Sequence, residues 1–223
     1  MKTFIRTILW SACMAFTVPV MAVASDNATG VSTLAEINDH DPYVLISQLA
    51  ERTFARLKAE KATMTTMRAR QIINEELLPY IDKKYASYKV MGPNLRNTTK
   101  EQKEEFTEAF TSYIVATYAD ALKKYNDQTV SVEAAKPIDP QATVLPVKVT
   151  VQLAPTETAE IIFKMRLNKK TGSWKAYDMV AEGISLLSAK QSELTGLIRE
   201  KGIDSVTATL HQHVADTAGK KFL

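Results

Sequence analysis

Cysteine is almost missing from this 223-residue chain: Cys13 is the only one, and it has no partner for an internal disulfide, which excludes a disulfide-stapled scaffold. Glycine (7) and proline (8) are sparse, which excludes collagen-like and low-complexity chains. Neither sign of charge dominates, since 28 basic residues face 25 acidic ones for a net +3. That balance lacks the clustered positive charge that binding to nucleic acid phosphates requires. No apolar run reaches the roughly 20 residues of a membrane-spanning helix. What is present is a 45% hydrophobic composition, that of an ordinary globular chain.

The first residues read as a targeting segment. Lys2 and Arg6 form a basic start, Ile8 to Val20 an apolar stretch broken at Pro19, and Ala22-Val23-Ala24 a small-residue cleavage site. A signal peptide over 1–24 is therefore expected. Its removal takes Lys2 and Arg6 from the 28 basic residues, so the net charge drops from +3 to +1, and the only cysteine goes with it. A near-neutral, cysteine-free protein exported to an oxidising space points to the periplasm. Residues 25–40 are small, polar and aperiodic, and read as a flexible lead. One α+β domain over 41–217 follows, with 218–223 as a tail.

Within that domain the order is helices, strands, helices, the α+β pattern. Asp41-Pro42 is a cap followed by proline at the first helical position, and Leu45, Leu49, Phe54 and Leu57 supply an apolar stripe. A second helix is expected from about Thr66 to Leu78, ending at Pro79. Thr99 and Gln102 form a capping box before a long helix whose inner face is rich in aromatic residues, with Phe106, Phe110, Tyr113, Tyr118 and Tyr125 beside Ile114. The period then switches to two. Val147, Val149, Val151 and Leu153 alternate with polar residues, and Ile161, Phe163, Met165 and Leu167 alternate with Ile162, Lys164 and Arg166 before the turn Asn168 to Gly172 and a return strand from Trp174 to Ala181. Val130 and Val132 begin an earlier strand.

Hairpin register is argued by parity. Partner numbers summing to 340 set Met165, Phe163 and Ile161 against Lys175, Tyr177 and Met179, leaving Trp174 on the outer face; a sum of 341 would set Phe163 against Asp178. The first register is the expected one. Ser188 to Lys201 is then helical with Gly202 closing it, and Asp204 or Ser205 caps a last helix carrying Val206, Leu210 and Val214. The expected architecture is helices packed on a curved, roughly four-stranded antiparallel sheet.

Catalytic constellations fail one by one. His211 and His213 stand two apart on a helix, which points them to different faces, and His40 lies far away in sequence; no metal site and no cofactor are expected. Gly183-Ile184-Ser185 is not a nucleophile elbow, because Leu187 occupies the second glycine position. Asp178 and Glu182 sit at the end of the last strand, where a buried carboxylate with a raised pKa could act as a base, but a cap or an outer-face residue is the more ordinary role. What remains is an aromatic helix face and a sheet lined by Val, Phe and Met, an inventory that suits a hydrophobic ligand. Two alternatives stay open: an enzyme acting on a small apolar substrate through Asp178, and a lipid-free protein-interaction module.

The run Trp174-Lys175-Ala176-Tyr177-Asp178-Met179-Val180-Ala181-Glu182-Gly183-Ile184-Ser185-Leu186 resembles the W-x-x-Y-D-V-x-x-x-G-V-S-L signature of the MlaC family, periplasmic phospholipid carriers also called toluene-tolerance auxiliary proteins. Upstream, Asp82, Met91-Gly92, Gln102, Phe106, Phe110, Thr117-Tyr118 and Leu122 follow that family's pattern in order, while Leu95 and Ala189-Lys190 depart from it. The resemblance implies a fold similar to the nuclear-transport-factor-like (NTF2-like) cone, and a pocket that encloses acyl chains with the head group at its mouth. It also implies a monomeric, non-enzymatic shuttle for glycerophospholipid that maintains outer-membrane lipid asymmetry. Its partners would be an inner-membrane ABC transporter complex with an MCE-domain subunit and an outer-membrane lipoprotein complex. On that resemblance the expected lining is Val147, Val149, Val151, Ile161, Phe163, Met165, Tyr177 and Met179 from the sheet, with Phe106, Phe110, Ile114 and Tyr118 from the long helix.

Overall fold

Asp41 begins the first helix as its position demands. Its carboxylate accepts hydrogen bonds from the Tyr43 and Val44 N–H groups at 2.8 and 3.0 Å, and α1 runs over Pro42–Ala59 with Leu45, Leu49 and Leu57 buried. The computed structural model describes residues 36–219, so the signal segment and most of the lead lie outside the described residues. Residues 36–40 of the lead are tied down instead of flexible: Ile37 is buried, and the Trp174 N–H donates to the Asp39 carbonyl at 2.7 Å.

The second helix starts as expected with α2, Thr66–Ile72. It continues through a π turn, Ile73–Leu77, and a 3-10 turn, Leu78–Tyr80, that holds Pro79. The π turn carries Glu76, a buried carboxylate paired at 2.7 Å with both Arg52 and Arg56 of α1. A further helix, α3 (Lys83–Met91), was not anticipated, because its buried side includes small Ala86 and Ser87 and gives little hydrophobic contrast. Its ends do carry signals. Asp82 accepts from the Tyr85 N–H at 3.1 Å, and Gly92 closes the helix at φ +56°, where an added Cβ would lie 3.4 Å from Thr195 Oγ1. The capping box of Thr99 and Gln102 then opens α4, Lys100–Lys123.

Among the described residues, five strands form one antiparallel sheet in chain order: β1 (Thr129–Val132), β2 (Val144–Ala154), β3 (Glu157–Asn168), β4 (Ser173–Ala181) and a two-residue β5 (Ile184–Ser185). Four strands carry the sheet, as the alternation predicted. Helices α5 (Leu186–Lys201) and α6 (Ile203–Gly219) follow, separated by Gly202 at φ +80°. Residues 218 and 219, expected in the tail, belong to α6.

The hairpin register differs from the expected one. Near the turn Leu167 pairs with Trp174 and Met165 with Ala176; a bulge then leaves Tyr177 extra, and Lys164 pairs with Asp178 and Phe163 with Met179. Trp174, expected outside, is buried in the core. The bulge resolves the conflict behind the parity argument. It lets Trp174, Ala176 and Met179 share the apolar face while turning Asp178 to the opposite one.

Three apolar clusters hold the fold. The first joins α1 to one sheet face: Leu45, Ile46 and Leu49 pack on Val147, Val149, Met165 and Trp174. The second is purely helical, with Val90, Met91, Phe106, Phe110, Leu194, Ile198, Val206 and Leu210. The third packs Ala69 and Ile73 against Val115 and Ala119. Leu77, in the π turn, touches both the first and the third.

Candidate functional site

The residues expected to line one pocket divide among different environments. Phe106 and Phe110 stack 5.9 Å apart inside the helical cluster, with Ile114 at its margin, so the aromatic face of α4 is spent on α3, α5 and α6. This corrects the expected arrangement, in which that face was set against the sheet. Val147, Val149 and Met165 are buried in the cluster with α1 and serve as packing. The Tyr177 ring meets Tyr85 of α3 edge to face at 5.1 Å, on the other side of the sheet. Tyr118 is half-buried, with Lys190 and Asp178 nearby, and burial pushes its phenol pKa up.

Four expected residues remain together. Val151, Ile161, Phe163 and Met179 are half-buried and share the apolar sheet face, because Val149 pairs with Ile161 and Phe163 pairs with both Val147 and Met179. That face extends into β1 through Val130 opposite Val151 and Val132 opposite Val149. Here the sheet borders a cavity of about 410 Å³ between α1 and β1, lined by Ala50, Phe54, Ala55, Tyr125, Val130 and Val132, with Ser47, Glu51, Lys58 and Gln128 as polar walls. Its volume is that of a ligand site. The rings of Phe54 and Tyr125 meet there at 5.0 Å.

Phe54, Tyr125, Val130 and Val132 were legible as element residues but not as site residues. A signal existed: Ser47, Glu51, Phe54 and Lys58 follow helical spacing along a second stripe of α1, beside the core stripe, with one large aromatic in it.

Asp178 is not a base with a raised pKa. Its side chain is 2% exposed, and burial alone would push the carboxyl up. The Lys164 ammonium at 2.9 Å, the Ser185 hydroxyl at 2.7 Å and the Leu187 N–H at 3.0 Å outweigh that and hold it below its ordinary 3.8. It ties the start of α5 to β4. A carboxyl depressed in the folded state stabilises the fold above its unfolded pKa, and that contribution is lost as pH falls through the folded value. Asp178→Asn should therefore lower stability at neutral pH by about 1–2 kcal/mol, with the Lys164 share reduced by screening at a partly exposed ammonium. Thermal unfolding of parent and variant should converge as pH falls below 3.8.

Among the described residues no three His, Cys, Asp or Glu side chains group as a metal site, and no helix is long and apolar enough to cross a membrane. The sheet face offers apolar, partly exposed surface.

Comparison with known proteins gives the site its context. The family described as MlaC protein matches residues 47–212. The chain is 32% identical, over 81% of its length and 85% of the relative's, to the intermembrane phospholipid transport system binding protein MlaC of Haemophilus influenzae. It is 26% identical to the toluene tolerance protein ttg2D of Pseudomonas putida, over 59% of this chain and 60% of that one. In fold it is similar to a phospholipid-binding protein from Ralstonia solanacearum solved in complex with a phospholipid, with a TM-score of 0.70 at 21% identity, covering 80% of this chain and 99% of that one.

Proposed function

Starting from the MlaC family, to which this chain belongs, we propose that it is a phospholipid carrier that encloses acyl chains against its apolar sheet face and moves glycerophospholipid between the inner and outer membranes. The observation that carries this reading is the half-buried row Val151, Ile161, Phe163 and Met179 leading to the α1–β1 cavity. An apolar face left partly uncovered next to an open cavity is unfavourable for a protein with no ligand, and becomes favourable once acyl chains cover it.

The energetics explain why a carrier is needed. Two acyl chains hold on the order of 30 methylenes, and at about 0.8 kcal/mol each their exposure to water costs roughly 20 kcal/mol. Diffusion of free lipid between membranes is therefore very slow. A carrier removes that barrier by burial alone, without a catalytic group, and non-directional contacts with the tails leave head-group selectivity weak. The working location on this reading is the periplasm. The exchange partners are an inner-membrane ABC transporter complex with an MCE-domain subunit and an outer-membrane lipoprotein complex.

The test is direct. Protein purified from a Gram-negative host and measured by native mass spectrometry should carry bound glycerophospholipid, released by organic solvent. Protein that is folded, lipid-free and unable to take up lipid from vesicles would end the proposal.

A further inference from the structure

Two stripes run along α1. One buries Leu45, Leu49 and Leu57; the other, carrying Ala50 and Phe54, forms a wall of the 410 Å³ cavity. The space opens to solvent, and its volume lies in the range of small-molecule sites. Its far wall is Val130 and Val132, the first strand of the same apolar face that continues to Val151 and Val149. Along the Val130 and Val132 wall, an acyl chain in the cavity would stay in contact with the apolar sheet face.

The cavity's end is built to give way. Tyr125, whose ring meets Phe54, belongs to the short segment between α4 and β1, and its hydroxyl donates to the Gln128 carbonyl at 3.3 Å. Asp127 there sits at φ +60°, in the left-handed region that favours glycine. The segment is tied to the residues after α1 by the Lys61 ammonium, which donates at 2.6 Å to Asn126 Oδ1 and to Asp127 Oδ2. Lys61 and Asp127 are both exposed, and such a pair is worth at most about 1 kcal/mol. The ion pair that ties the segment down is therefore cheap to open. Glu51 and Lys58, of opposite sign and both exposed, stand on the α1 wall where a lipid's polar end would remain in water.

We propose that the α1–β1 cavity is the port through which an acyl chain of a phospholipid enters and leaves the sheet face, with Phe54 and Tyr125 as its movable walls. The proposal rests on the carrier reading and adds a route to it. The test uses Ala50→Cys in a chain with Cys13→Ser, modified after folding with a bulky reagent that forms a reducible disulfide. Transfer of a fluorescent phospholipid between phosphatidylethanolamine–phosphatidylglycerol vesicles is then followed. The modified protein should fall to the rate of unassisted exchange and recover on reduction, while Ala189→Cys, exposed on α5 and modified alike, should transfer at the parent rate. Modified Ala50→Cys that transfers as fast as its reduced form overturns the port and leaves the carrier standing. A parent protein that moves no lipid at all removes both.

Discussion

Phe106→Ala should lower the stability of the fold by about 3–5 kcal/mol, the cost of deleting a large ring from a fully packed site. Phe106 is completely buried between Phe110 and the residues of α3, α5 and α6, and those helices cannot collapse into the space because each is held by other core contacts. Against a total stability of about 5–15 kcal/mol the loss is large, and it should appear as a lower denaturant midpoint with an unchanged slope. The folded fraction should still carry lipid in the parent amount. The result that would reverse the assignment is stability within about 1 kcal/mol of the parent together with stripped lipid. In that case the aromatic face of α4 lines the ligand space and the helical cluster is not a closed core.

Val151→Glu should act the other way round, leaving the fold nearly intact and removing the lipid. Val151 is half-buried on the open part of the sheet face, so an empty protein can keep a carboxylate there in contact with water. With lipid bound, the carboxylate would lie among methylenes without a partner, at a cost of several kcal/mol. Native mass spectrometry should find the variant lipid-free, and circular dichroism should find it folded. Ser131→Glu, an exposed change in β1 opposite Thr150 on the other face, should retain lipid. A folded Val151→Glu protein with its full complement of lipid would place the acyl chains elsewhere. The buried Val149 is unsuitable for this test, since charge there would unfold the α1 cluster before any ligand was involved.

The caps were legible because their chemistry is local. Asp41, Thr99 with Gln102, and Gly202 act through backbone groups within a few residues, so no distant partner is needed to recognise them. The strands were legible for the same reason, since side chains alternate between faces whatever covers them. The α3 helix was missed because a face of Ala86 and Ser87 packs closely against neighbours without announcing itself as apolar. The register was missed because parity presumes an uninterrupted ladder. A single extra residue, Tyr177, breaks that presumption, and nothing local distinguishes a bulge from a regular pair.

By itself the sequence determined that the chain is α+β, where several elements begin or end, and that its motifs are those of the MlaC family. Only the tertiary structure decided which apolar residues are closed core and which stay partly exposed. Phe106 and Phe163 look alike in the sequence, each apolar at the right period, yet one is sealed among four helices and the other lies only partly covered at the margin of the cluster between α1 and the sheet. The physical reason is that hydrophobic burial has no direction and no preferred partner: a pattern can show that a face must leave water, but not what covers it.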